Sequence, residues 1–159
     1  MSYDRVTMYV MSGTGNTLRA ASWMRQVAER RGIAARVIPY DSAEPTADIG
    51  EGGNQLTGVL LPAHGFTAPW AMLHFTLRMP RGGGTHAFVA VTRGGSHVLR
   101  ARLPGMEGTA GYLIALLLAA KGYRVRGVAG FDMPSNWTSL HPGMKQESID
   151  DIEAHTHPS

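Results

Sequence analysis

VTMYVMSGTGNTLRAASWM, residues 6–24, decides how the rest of the chain is read. A nearly continuous apolar run from Val6 to Met11 leads through Ser12-Gly13-Thr14-Gly15-Asn16-Thr17 into a helical pattern. An apolar run without alternation suits a strand buried on both faces. Leu18, Ala21, Met24, Val27 and Ala28 then recur at helical spacing as far as Arg31, and Gly32 suits a C-terminal cap. The loop between strand and helix has no charge, two glycines and three hydroxyls. A loop that runs straight into a helix presents unpaired N–H groups and the positive end of the helix dipole. Gly13 and Gly15 let that backbone close round a ligand, while Ser12, Thr14 and Thr17 add hydroxyl donors. The six residues read as a neutral nest for a phosphate dianion.

Beyond this unit the pattern repeats. Ala35 to Tyr40 reads as a second strand, and Pro39 places it at an edge. Polar residues from Asp41 to Gln55 read as a loop. Leu56 to Leu61 is an apolar third strand, Trp70 to Arg78 a helix, and Pro80 to Gly84 a flexible turn. His86 to Val91 is a fourth strand, stopping at Thr92-Arg93-Gly94-Gly95. Residues 108–121 form an apolar helix, Tyr123 to Phe131 a fifth strand, and Lys145 to Ala154 a last helix with Ile149 and Ile152 facing inward. Buried-looking strands alternating with helices argue a parallel α/β sheet. Five of them fit a doubly wound sheet of order 2-1-3-4-5, with helices on both faces.

Composition bounds the class. At 159 residues the chain is about one domain, residues 1–159, with no internal repeat or linker. There is no cysteine, so disulfides, thiol chemistry and cysteine-ligated iron–sulfur clusters are excluded within it. No secretory signal precedes the first strand, and the longest apolar run is too short to span a bilayer. A cytoplasmic location is the default expectation. The net charge is +3, carried almost wholly by arginine. Basic runs and interleaved aromatic and basic residues are both missing, so an acidic protein is a better-matched partner than nucleic acid.

In doubly wound sheets ligands bind at the carboxyl ends of the strands. Those ends carry Ser12 to Thr17, Pro62-Ala63-His64-Gly65-Phe66-Thr67 with Ala68-Pro69-Trp70 beyond, Thr92 to His97, and Asp132 to Trp137. The nucleoside triphosphate loop is excluded because its lysine is missing. The dinucleotide fingerprint has Leu18 in place of its third glycine, although Asp41 could hold a ribose. The Ser/Thr-x-Thr-Gly-x-Thr loop of flavin mononucleotide (FMN) proteins matches at Ser12, Thr14, Gly15 and Thr17. A glycine-rich turn that caps a helix and binds nothing is the remaining reading. No paired carboxylates and no nucleophile–base signature stand out, no metal site is expected, and His155 and His157 read as tail.

Three ordered segments together resemble the flavodoxin family. They are Ser12 to Thr17, the proline-spaced aromatic loop Pro62 to Pro69, and Met133-Pro134-Ser135-Asn136. The closest likeness is to the flavodoxin half of bacterial proteins that fuse a flavodoxin to a ferredoxin-type iron–sulfur domain. That half alone would be present here. His64 departs from the pattern, standing where an aromatic residue is usual, and so does the basic charge.

The resemblance implies FMN as cofactor and a redox protein as partner, an acidic ferredoxin-type protein suiting the charge. It implies that Ser12, Gly13, Thr14, Gly15, Asn16 and Thr17 bind the phosphate. Pro62, Ala63, His64, Gly65, Phe66 and Thr67 would flank the isoalloxazine ring, with Gly65 at a peptide that reorients when N5 gains a proton. Thr92, Arg93, Gly94 and Gly95 would line the pyrimidine edge, and the Arg93 charge would favour the anionic reduced cofactor. Phe66, Trp70 and Trp137 are stacking candidates, and Asn136 with Trp137 is a cofactor-binding candidate. Three functions follow: a non-catalytic electron carrier, an FMN-dependent reductase of the NAD(P)H:quinone type, or a phosphate-ligand module without redox chemistry.

Overall fold

The computed structural model describes residues 3–43, 54–98, 101–103 and 107–134, with Gln146, Glu147, Ile149, Asp150 and Ala154. Its elements are β1 (Arg5–Val10), α1 (Asn16–Arg30), β2 (Ala34–Pro39), β3 (Gln55–Pro62), α2 (Trp70–Arg78), β4 (His86–Val98), β5 (Ala101–Leu103), α3 (Ala110–Ala120) and β6 (Arg124–Pro134). Five strands are parallel in the order β2-β1-β3-β4-β6, which is the expected 2-1-3-4-5 with β6 in fifth place. No helix among the described residues is long and apolar enough to cross a membrane.

The strands look apolar because both faces are covered. Even-numbered β1 residues Val6, Met8 and Val10 pack with Ala21 of α1, Leu60 and Ala90. Odd-numbered Tyr9 joins Val59, Leu61, Val89 and Val91 under Met72 and Phe75 of α2 and Ile114 and Leu118 of α3. Full burial of such a side chain is worth about 1.5–3 kcal/mol. Gly111 lets α3 approach the sheet, since a Cβ there would lie 2.5 Å from Val128 Cγ1 and 3.1 Å from Val91 Cγ2. As its proline implied, β2 is an edge: among the described residues it pairs with β1 alone. The chain runs from β1 outward to β2, then returns to β3 on the other side of β1. The carboxyl ends of β1 and β3 therefore flank the point where the winding reverses.

The structure corrects four expectations. The fourth strand does not stop at Thr92. It runs to Val98 and pairs antiparallel with β5, a sixth strand that the sequence pattern does not show. The fifth strand likewise continues through Asp132, Met133 and Pro134. These two extensions explain each other, because Arg93, Gly94 and Gly95 pair in register with Asp132, Met133 and Pro134. Glycine pairs that punctuate an isolated segment stay extended when a neighbouring strand supplies the hydrogen bonds.

Leu18 does not join the core, being 45% exposed, and α1 instead buries Thr17, Ala20 and Ala21. The turn at 82–84 is close-packed rather than loose. Gly82 and Gly84 N–H groups donate to Lys121 and Gly122 carbonyls at 2.8 and 2.9 Å, and a Cβ on Gly82 would strike the Tyr123 ring. Of the last helix, Gln146, Glu147, Ile149, Asp150 and Ala154 are helical, and Gln146 Nε2 donates to Asp150 Oδ1 at 2.8 Å. Ile152, Asn136, Trp137, His155 and His157 lie outside the described residues.

Candidate functional site

The loop from Ser12 to Gly15 turns the chain from β1 into α1. Gly15 occupies the N-cap position at φ +93°, a left-handed conformation natural to glycine, and no side chain caps the helix from that position. The first turn of α1 contains no acidic residue. The Ser12 hydroxyl fills part of the role, accepting from the Gly15 N–H at 3.1 Å and the Leu18 N–H at 3.3 Å. Two amides of the nest thus converge on one oxygen acceptor. Both Gly13 and Gly15 would leave an added Cβ with nothing within 4 Å, so the mouth of the loop is open.

Two residues of the loop point elsewhere. Thr17 is buried and its Oγ1 lies 2.7 Å from Thr92 Oγ1, joining α1 to β4. Two hydroxyls carry two protons and one is used between them, so the pair retains one O–H to donate. Asn16 Nδ2 donates to the Pro134 carbonyl at 2.9 Å and ties the loop to the end of β6. The three strand ends are thereby joined.

The second loop starts beside Thr92, whose carbonyl accepts from the Ala63 N–H at 2.9 Å. His64 and Thr67 then exchange backbone hydrogen bonds, His64 N–H to Thr67 O at 2.9 Å and Thr67 N–H to His64 O at 3.0 Å. The two residues between them both have positive φ, Gly65 at 54° and Phe66 at 64°. Two consecutive positive values mark a mirror-image type I′ turn. Phe66 is the only non-glycine with positive φ among the described residues, and its side chain is 57% exposed. Buried Ala68 and Pro69 anchor the far side of the turn and lead into α2. Trp70 is not core: it is 70% exposed, with its ring 4.4 Å from that of His74.

Arg93 is the third contributor, and it is not a lone cation. Its guanidinium pairs through Nη1 with the Glu107 carboxylate and through Nε with Asp132 Oδ1 at 2.7 Å. Partial burial disfavours the charge, but hydrogen bonds and attraction to both carboxylates outweigh it and hold the group above the ordinary arginine value. The trio sums to one negative charge. The Thr92 carbonyl faces β3, where it meets Ala63 N–H, so by alternation the N–H and C=O groups of Arg93 and Gly95 face β6 and those of Gly94 the β3 side.

Glu107, Gly108 and Thr109 join Asp132 at this end of the sheet, although motif reading did not select these three. Thr109 N–H donates to the Phe66 carbonyl at 2.9 Å. One signal was available: Glu107 is the only acid between Glu51 and Asp132.

No family model matches the sequence, and no curated protein matches it. Solved structures do match its fold. An archaeal flavodoxin aligns with a TM-score of 0.59 at 16% identity, over 94% of this chain and 91% of that one. The Flv1 flavodiiron core of Synechocystis sp. PCC6803 gives 0.53 at 18% identity, over 81% of this chain and 31% of that one. Rubredoxin oxygen:oxidoreductase from Desulfovibrio gigas gives 0.54 at 12% identity, over 97% of this chain and 35% of that one. The fold is flavodoxin-like.

Proposed function

We propose that the chain binds FMN at the carboxyl ends of β1, β3 and β4 and serves as a one-electron carrier between protein partners. The observation that supports this most directly is the convergence of the Gly15 and Leu18 amides on the Ser12 hydroxyl oxygen. That oxygen stands where an anion's oxygen would be held, at the positive end of α1. A phosphate monoester suits this donor set: amides from Gly15 onward, the hydroxyls of Ser12 and Thr14, and the spare proton of the Thr17–Thr92 pair. Asn16 then serves as a tie to Pro134 rather than a phosphate ligand. The bound cofactor would supply the redox chemistry.

The chain's own contribution lies in orientation and charge. Rotating the Gly65–Phe66 peptide by half a turn converts a type I′ turn into type II′. Both forms need positive φ at residue 65, which glycine alone adopts without strain. Only the first places Phe66 in the left-handed region. The turn therefore offers two peptide orientations facing the ring of a bound flavin. Arg93, already shared by two carboxylates, does not act there as an isolated positive charge.

An acidic partner fits the surface beside this site. From Gln55 to Phe131 the sequence has one acid, Glu107, and that acid is paired with Arg93. Exposed Phe66 and Trp70 share this end of the molecule with His64 and His74. A cytoplasmic carrier whose iron–sulfur partner is a separate chain would match these features.

The purified protein, incubated with FMN and then with riboflavin, tests the reading. A yellow complex, FMN tighter than riboflavin, and two resolved one-electron steps on reductive titration are expected. Rapid bleaching by NADH or NADPH would favour the reductase, and failure to take up either flavin would leave a phosphate-ligand module.

A further inference from the structure

We infer that the outer face of α2 and α3 seats a second copy of this chain, related by a two-fold axis that sets the two α3 helices antiparallel. Ala110 to Ala120 contains no charged side chain, and the Tyr112 hydroxyl is its one polar group. A helix that is apolar all round belongs in an interior. This one is covered on one side only. Ala110, Gly111, Ile114 and Leu118 are buried, while Tyr112 and Leu116 are each 66% exposed and Ala119 and Ala120 are exposed beside them. α2 packs alongside, with Lys121 Nζ donating to the Leu77 carbonyl at 2.8 Å. It adds exposed Leu77 and, at the upper edge, Trp70. The opposite layer differs, since α1 exposes Arg19, Arg25, Gln26, Glu29 and Arg30. Trp70, Leu77, Tyr112 and Leu116 together present about 500 Å², as much as a typical monomer leaves in its largest apolar patch. With His74, Ala119 and Ala120 added, the face comes near the roughly 800 Å² per partner of a specific interface.

Size and charge choose the occupant. On the outer side of α3 the large side chains Tyr112 and Leu113 stand in the first half, small Ala119 and Ala120 at the end, and Leu116 between them. A two-fold axis through Leu116, perpendicular to the helix, sets Tyr112 over Ala120 of the second copy and Leu113 over its Ala119. Leu116 then meets its own equivalent. Every large side chain faces a small one, twice over, which is the self-complementarity an isologous contact requires. A bilayer surface needs no such order. Charge agrees with the same arrangement. Arg78 in the last turn of α2 and Lys121 at the C-cap of α3 mark the carboxyl end of the face. The Arg93–Glu107–Asp132 trio, one negative charge in sum, lies toward its amino end. Antiparallel packing brings the cationic end of each copy to the anionic end of the other and opposes the helix dipoles. A parallel pair would set cation against cation. The inference stands apart from the flavin reading, because the loops at the carboxyl ends of the strands are not part of this contact.

Sedimentation velocity of the wild-type chain, from micromolar to submillimolar concentration, should show a monomer–dimer equilibrium. Leu116→Glu should weaken it by at least about 100-fold, because two carboxylates would meet unpaired at the axis. Leu116→Lys takes its place if that variant does not fold. Gln26→Glu, which adds the same charge on α1, should change nothing. The register has a separate test. Ala120→Tyr should weaken association about tenfold by crowding two aromatic rings together. Adding Tyr112→Ala to the same chain should restore it, since large and small then exchange places. A wild type that stays monomeric at submillimolar concentration would overturn the inference, and so would a folded Leu116→Glu variant that associates as tightly as wild type. Failure of Tyr112→Ala to rescue Ala120→Tyr would also overturn it, as would a wild-type monomer that sediments with phosphatidylglycerol vesicles instead. FMN titration of the same samples separates the two proposals: a wild-type dimer that takes up no FMN would defeat the functional reading and leave this one standing.

Discussion

Ser12→Ala should weaken FMN binding and spare riboflavin. In the free protein the Ser12 hydroxyl accepts from the Gly15 and Leu18 amides at 3.1 and 3.3 Å. It stands in for the cap that Gly15 does not provide. Both bonds are exposed and long, so the loss is at the lower end for a helix cap, about 0.5–1 kcal/mol. For a chain of this size that lowers Tm by roughly 1–4 °C. In the complex a phosphate oxygen would replace the hydroxyl as acceptor, and Ser12 would turn to donate to it. A hydrogen bond to a charged group is worth about 1.5–3 kcal/mol. The difference, about 1–2 kcal/mol, corresponds to roughly 5- to 30-fold weaker FMN binding. Riboflavin has no phosphate and should lose nothing beyond the small change in the free state. Quenching of flavin fluorescence, titrated with both ligands on both proteins, measures this directly. Equal losses for FMN and riboflavin, or tighter FMN binding by the variant, would refute the argument that this oxygen holds the place of the phosphate.

Other substitutions test the frame around the site. Gly15→Ala should destabilise by about 1–2 kcal/mol from its φ of +93° alone, because an added methyl group meets nothing. Gly13→Ala, in equally open space and without positive φ, should stay within about 0.5 kcal/mol in the same urea titration. Gly111→Ala sets a helix-propensity gain of about 1 kcal/mol against an overpacking cost of about 1–3 kcal/mol where its Cβ meets Val128 and Val91. A net loss is expected, and it should become a gain in a Val128→Ala background. Burial, helped by the nearby Tyr9, pushes the Tyr123 hydroxyl above the ordinary tyrosine value, and its Oη donates to the Pro80 carbonyl at 3.3 Å. The folded state therefore keeps this proton where the unfolded chain loses it. Stability from this group should be constant below about pH 10 and fall above it, by up to about 1.4 kcal/mol per pH unit. Tyr123→Phe should remove that slope in denaturation curves taken from pH 8 to 11.

The residues between Val6 and Met24 determined much by local chemistry alone. A buried strand, a neutral glycine and hydroxyl loop, and a helix follow from hydrophobic spacing and from the conformations glycine permits, and all three appear where the pattern placed them. The parallel order followed from strand–helix alternation, since parallel neighbours need a crossover and its helix covers the sheet. Pro39 marked an edge because it lacks the N–H that a central strand needs. What the sequence could not show depends on partners distant in the chain. Gly94 and Gly95 look like a turn until β6 is present to pair with them. Leu18 looks like core until Thr17 meets Thr92 and turns α1 on its axis. Arg93 looks like a free cation until Glu107 and Asp132 arrive from 14 and 39 residues away. Phe66 gives no local sign of its left-handed backbone, and the Thr109 N–H that meets its carbonyl comes from 43 residues away. Local patterns record what a segment does with water and with its own backbone. The site's charge and strain come from contacts that exist only once the sheet has closed its register.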